Sequence, residues 1–135
     1  MLLAQTDVKQ EGLYYYQNQD YFSAVYFLEM AFENDSSDTK IWYPMAQSYT
    51  KTNQHKKSVW LYQKIWNFDL GLNYPLAIYW LGLNYKHLGD YDKASESLRE
   101  FINGYNNTQD IWYVRAVAQL RGAELAKLLS LQDVE

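Results

Sequence analysis

The sequence predicts an all-α protein, an α-solenoid of stacked helix–turn–helix pairs, and three observations predict it. The first is periodicity. Ile78, Leu81, Gly82 and Tyr85 share one face of a helix, and Ala94, Leu98 and Phe101 share one face of the next. The second is the break between them. In Leu88-Gly89-Asp90, the glycine can take the left-handed conformation that closes a helix, and the aspartate can accept from the free N–H groups that open another. The third is repetition. Moved back by 36 positions, Gly82, Tyr85 and Ala94 fall on Ala46, Tyr49 and Ser58; moved back 34 more, they fall on Gly12, Tyr15 and Ala24. Moved forward by 34, Ile78 and Gly82 reach Trp112 and Ala116. A single helical hairpin cannot bury its apolar face, and a register that returns supplies the neighbours that can.

Taken in order, the first two helices are expected over Thr6–Gln17 and Tyr21–Glu33, joined by Asn18-Gln19-Asp20. Gln19 occupies the place of Gly89, which makes this turn less ideal, and Asp20 can cap the second helix. Asn34–Asp38 is a polar connection offering several capping side chains. The third helix, Thr39–Thr52, contains Pro44. With Asp38 as cap, this proline lies past the first turn, so a kink or a late start is expected, at a cost of up to ~3 kcal/mol. Asn53 holds the left-handed place, which asparagine tolerates. The fourth helix, His55–Phe68, is rich in large apolar rings. Asp69–Asn73 lengthens the spacing from 34 to 36, with Asn73 as the expected cap and Pro75 in the first turn of the fifth helix, where a missing N–H costs little.

The sixth helix ends at Asn103–Thr108 and a last helix runs over Asp110–Leu131. That last helix has no clean polar face: Arg115, Gln119, Arg121, Glu124 and Lys127 are interleaved with Val114, Val117, Leu120, Leu125, Leu128 and Leu129. A terminal helix of stacked repeats should turn a polar face to water. Either a further domain, a partner or a second copy packs there, or the cap is partly apolar, as scattered surface residues often are.

The spacing Ile78…Leu81-Gly82…Tyr85…Ala94…Leu98 resembles the tetratricopeptide pattern, with Ile78 in its Trp place, Leu98 in its Phe place, and Trp42 holding the Trp place one unit earlier. The resemblance covers almost the whole chain. It implies one domain over 1–135, with repeats at approximately 5–38, 39–73 and 74–108 and a capping helix at approximately 110–131, wound as a right-handed superhelix. The proline frequent near the end of each unit in that family is missing from the first connection.

Composition excludes several functions. With 14 Tyr, 5 Trp and 5 Phe among 135 residues, the apolar volume suffices for a core. The absence of cysteine removes disulfides, thiol catalysis and thiolate zinc sites. A net charge of −4 argues against nucleic acid as a partner. No apolar run reaches the ~18 residues that suggest a membrane span. His55 and His87 stand in different units with no spaced ligand set, so no metal is expected. No nucleophile elbow or phosphate loop occurs, so no catalytic residue, no cofactor and no enzyme activity is expected. Leu2–Gln5 resembles the tail of a signal peptide, against the alternative of an ordinary frayed first turn.

What remains is recognition of a protein or peptide. The tetratricopeptide resemblance implies that the first helix of each pair lines a concave groove. Carried over by register, its column is Lys9, Tyr43, Tyr79 and Tyr113. Beside it run Gln10, Pro44, Trp80 and Val114, then Leu13, Gln47, Leu83 and Val117, with Tyr16, Gln17, Thr50, Lys51, Lys86 and His87 nearer the helix ends. The expected contact set is Lys9, Tyr16, Tyr43, Gln47, Lys51, Tyr79, Trp80, Leu83, Lys86 and Tyr113. Tyrosine supplies contact area with few rotors and a hydroxyl for a peptide backbone, and the lysines favour an acidic or carboxylate-ended segment. The alternative is that the same rings pack between helices.

A subset of the family clamps the terminal carboxylate of chaperones with a lysine, two asparagines and a basic pair. Only Lys9 matches; Leu13, Pro44, Leu76 and Trp80 stand in the other places, and that partner is rejected. A finer resemblance joins the loop ending in Asp110-Ile111-Trp112-Tyr113-Val114, then Arg115-Ala116 and Gly122–Ala126, to the N-terminal repeat modules of Bacteroidetes OmpA-like envelope proteins, some of which serve type IX secretion and gliding. It implies a periplasmic or cell-envelope scaffold, against the cytoplasm as alternative, or a structural spacer that makes its contacts through the last helix.

Overall fold

The structure is a computed structural model that describes residues 2–132, with side chains from Asp7 onward. The side chains of the signal-like Leu2–Gln5 therefore lie outside the described residues. Among the described residues there are seven helices and no strand: α1 (Leu2–Gln17), α2 (Tyr21–Asn34), α3 (Thr39–Lys51), α4 (His55–Asp69), α5 (Ala77–His87), α6 (Tyr91–Gly104) and α7 (Ile111–Gln132). The chain falls into two compact units, Met1–Ile65 and Trp66–Glu135, with the boundary inside α4.

The repeat is written most plainly in its turns. Gln19, Asn53 and Gly89 all adopt left-handed backbone, with φ of 61°, 60° and 77°. Around each, the same two hydrogen bonds close the helix. Asp20, Gln54 and Asp90 donate their N–H to the carbonyls of Tyr15, Tyr49 and Tyr85 at 2.9, 2.8 and 3.0 Å. The residue before each donates to Tyr16, Thr50 and Lys86 at 3.0, 3.1 and 3.0 Å. This is the paired bonding that satisfies the orphan carbonyls of a helix end. Asp20 and Asp90 then accept from the N–H groups of Ser23 and Lys93, both at 3.2 Å, and so cap α2 and α6.

In the first unit, Gly12 lets α1 approach α2 so closely that a Cβ there would lie 2.6 Å from Leu28 Cδ2 and 3.1 Å from the Leu28 nitrogen. Leu28, Ile41, Met45 and Leu61 form the centre of this unit's core. In the second helix pair the small place of Gly12 is held by Ala46, and Ser58 replaces the alanine opposite. Its buried hydroxyl donates to the Ala46 carbonyl at 3.1 Å and meets Thr50 Oγ1 at 2.6 Å, so the exchange leaves no unpaired polar group.

The second unit repeats the close approach. Here Gly82 faces Leu98 and the Ala94 carbonyl. Along α7 only Ala116 and Ala123 are buried among the described residues; Leu125, Leu128, Leu129 and Leu131 are exposed. Ion pairs Arg99–Glu124 and Lys127–Asp92 tie α6 to α7 at the surface.

Of the two alternatives at Pro44, a kink or a late start, the late start does not occur: α3 begins at Thr39 with Asp38 accepting from the Lys40 N–H at 3.2 Å, and Pro44 sits inside it. The start of the next pair needs correction: α5 begins at Ala77, and Asn73 is not its cap. Asn73 instead turns back to Asp69, donating from Nδ2 to Oδ2 at 2.8 Å. Pro75 lies ahead of the helix, in a turn closed by the Ala77 N–H on the Tyr74 carbonyl at 3.0 Å.

Candidate functional site

The expected contact residues divide between the two units. In the first unit they lie on α1 and α3. The Tyr16 hydroxyl donates to Gln47 Oε1, joining these two first helices side by side. Tyr43 is half-buried, its ring set edge-on to that of Tyr62 at 5.9 Å. Beneath it, burial holds the Tyr62 phenol well above its ordinary pKa, Tyr43 and Tyr16 add to the rise, and a hydrogen bond with Thr50 opposes it. Lys9 is engaged with the α3 cap, its Nζ 2.6 Å from Asp38 Oδ2. Lys51, at the end of α3, is exposed, with no hydrogen bond or ion pair to any of the described residues.

In the second unit, α5 and α7 carry the rest. Tyr79 is only 3% exposed. Its ring meets Trp80, Phe101 and Trp112 with centroids at 5.1, 5.7 and 5.5 Å, and burial raises its phenol pKa, against a lowering by Arg115. Tyr79 therefore packs α5 against α6 and α7 and is not available to a ligand; at this place of the column, packing between helices wins. Trp80 lies edge-on to Trp112 at 5.7 Å and is half-buried, as are Leu83 and Tyr113. Lys86 reaches across to α7 and donates to Gln119 Oε1 at 2.8 Å. A Cβ on Gly122 would stand 2.6 Å from its Nζ, so that glycine makes room for it.

Of the lysines expected to greet an acidic segment, Lys9 and Lys86 thus already have partners within the fold, and Lys51 has none among the described residues. Of the ten expected contact residues, Tyr79 is buried, Lys51 is exposed and the other eight are half-buried. Sequence reading gave no role to Arg115, whose guanidinium lies over the Trp112 ring at 4.9 Å; the three-residue spacing along a helix was the available signal. Among the described residues no cluster of His, Asp or Glu could hold a metal ion, and no helix is long and apolar enough to cross a membrane.

Residues 76–108 match the family model described as tetratricopeptide repeat. No curated protein matches the chain. Among solved structures, the Arabidopsis OM64 TPR domain is similar, with a TM-score of 0.70 and 18% identity over 88% of this chain and 95% of that one. The TPR2B domain of yeast Sti1, solved as a complex with pHsp70, is similar with a TM-score of 0.62 and 18% identity over 87% of this chain and 98% of that one. Three copies of one turn, two copies of one glycine–leucine contact and these likenesses agree: the chain has the all-α fold of tetratricopeptide-repeat domains, and its residues 76–108 carry the repeat in sequence as well.

Proposed function

We propose that this chain is a non-catalytic scaffold that binds a segment of a partner protein on the first helices of its pairs. The observation that carries the reading is the half-burial of Tyr43 and Tyr113 at the same register place on α3 and α7, with Trp80 beside that place on α5. Each ring is held on one side by its own unit and open on the other, which suits aromatic anchors at an interface. The uncommitted ammonium of Lys51 supports an acidic stretch in the segment. The pHsp70 of the Sti1 complex is not carried over, because the chaperone-clamp places here hold Leu13, Pro44, Leu76 and Trp80.

A pull-down from the source organism with the wild-type chain identifies the partner. Affinity and melting temperature are then measured for Tyr43→Ala and Tyr113→Ala. Each should weaken the complex by roughly 1–2 kcal/mol at a temperature where both variants are folded, and Tyr43→Ala should also lose ~0.5–1.5 kcal/mol of stability with its edge-on contact to Tyr62. Intact affinity in folded variants refutes the site.

A second reading is favoured by the exposed leucines of α7: a spacer module of a larger envelope protein, with contacts through that helix. The resemblance of residues 110–126 to Bacteroidetes envelope modules supports this placement in the cell envelope and, within it, in type IX secretion. On this reading, Leu125→Ser/Leu128→Ser abolishes capture while the tyrosine variants leave it intact.

A further inference from the structure

A cleft of about 240 Å³ opens in the first unit between α2, α3 and α4. Its size is informative. Small-molecule pockets run to ~300–1,000 Å³, so this one suits a single long side chain. Its upper walls are Phe32 and Trp60, set edge to face with centroids 5.7 Å apart, and Trp60 keeps 51% of its surface exposed. The cleft also holds two carboxylates one helical turn apart. Glu29 is engaged through one oxygen: its Oε2 accepts from the Tyr49 hydroxyl at 2.9 Å and from Lys57 Nζ at 3.3 Å. Glu33 is exposed and has neither a hydrogen bond nor an ion pair among the described residues. The cleft therefore has two carboxylates and one cation, a net negative charge beside open aromatic surface. It also shows how it treats a cation, since the Lys57 ammonium sits at the Glu29 carboxylate and 5.6 Å from the centre of the Tyr49 ring.

We propose that this cleft is a docking site for an arginine side chain of a partner protein, with the guanidinium stacked on Trp60 and paired with Glu33. A planar guanidinium can lie on an aromatic face while its fork of N–H groups bonds a carboxylate, and it loses less hydration than an ammonium. An anion is refused by the net charge, and a purely apolar side chain leaves Glu33 unpaired at its rim. The site is carried by the second helices α2 and α4, together with Met45 and Tyr49 of α3, and shares no residue with the first-helix surface proposed above, so either can fail alone.

The experiment titrates the isotope-labelled full chain with N-acetyl-arginine N′-methylamide and follows the Trp60 indole N–H by NMR. Trp60→Leu, which removes that signal, assigns it. A saturable shift is expected. The neutral citrulline analogue should bind roughly two- to fivefold more weakly, the size of one exposed cation–carboxylate or cation–π contact. Free L-arginine, whose α-carboxylate and α-ammonium cancel in net charge, should bind no more tightly than the blocked compound. Glu33→Gln should weaken the arginine compound by a similar factor at an unchanged melting temperature. No saturable shift, equal binding of the citrulline analogue, or indifference to Glu33→Gln overturns the proposal. Tighter binding of free arginine also overturns it, by making the cleft a small-molecule site.

Discussion

Gly82→Ala isolates the contact on which the α5–α6 pair depends. Replacing glycine by alanine inside a helix ordinarily stabilises by ~0.8–1.0 kcal/mol, through lower unfolded-chain entropy and better propensity. Here the new methyl would lie 2.8 Å from Leu98 Cγ, 3.1 Å from Leu98 Cδ2 and 3.3 Å from the Ala94 carbonyl. Leu98 has no exposed surface, and its Cγ is a branch point near the backbone, so it cannot swing aside. Overpacking of this kind costs ~1–3 kcal/mol. The steric cost therefore wins, by roughly 1 kcal/mol, and the melting temperature should fall by several degrees, at ~2–8 °C per kcal/mol for domains of this size range. Gly104→Ala is the control, because a Cβ there meets nothing within 4 Å; it should leave the melting temperature level or raise it. Leu98→Ala removes the obstacle. Combined with Gly82→Ala it should be less damaging than the sum of the two, by ~1 kcal/mol or more of coupling. Thermal unfolding followed by circular dichroism reads all four chains. A Gly82→Ala chain that melts with the Gly104→Ala chain, and shows no coupling to Leu98, refutes the close approach.

Gln19 holds left-handed backbone at φ 61° where the third repeat has glycine, so Gln19→Gly should raise stability by ~0.5–1 kcal/mol in denaturant titration, and a loss of stability would contradict the turn. Burial raises the phenol pKa of Tyr62 and Tyr79, and burial with the Glu29 hydrogen bond raises that of Tyr49, above the ordinary 10.0. The folded state then holds protons that the unfolded chain releases, so this contribution to stability is complete below pH 10 and is lost as pH rises from there through the raised values; the part of the tyrosinate absorbance that Tyr49→Phe, Tyr62→Phe and Tyr79→Phe remove should appear together with loss of helix rather than before it. On the acid side, hydrogen bonds from the Ser37 hydroxyl and backbone N–H lower the Asp35 pKa below 3.8. The stability difference between wild type and Ser37→Ala should therefore be present at neutral pH and close as pH falls below that value through the folded one, which unfolding curves across this range will check.

The elements that sequence reading placed well are those set by local backbone chemistry. A left-handed residue and the aspartate or polar residue after it mark each hairpin turn, and these are readable at Gln19, Asn53 and Gly89 because both requirements fall on adjacent residues. The small-against-large pairs Gly12–Leu28 and Gly82–Leu98 follow from the same register. The start of α5 was not readable in this way. Asn73 could cap a helix or bond backwards, and Asp69, four residues earlier, competes for it within the connection.

The residue types of the candidate surface, and their places on the first helices, belong to the sequence, because helical period assigns a face without reference to anything distant. Which of those side chains is open to a ligand does not. Tyr43 and Tyr79 occupy the same register place, yet Trp80, Phe101 and Trp112 close over Tyr79, whereas Tyr43 stays half-open beside Tyr62. Lys9 and Lys51 look alike as free cations until Asp38, 29 positions along the chain from Lys9, takes one of them. Lys86 is drawn to Gln119 through the gap left by Gly122. Helix formation needs only neighbours within about four residues, so it is written locally; burial and charge pairing depend on which distant side chain fills the adjacent space, and tertiary packing decides that.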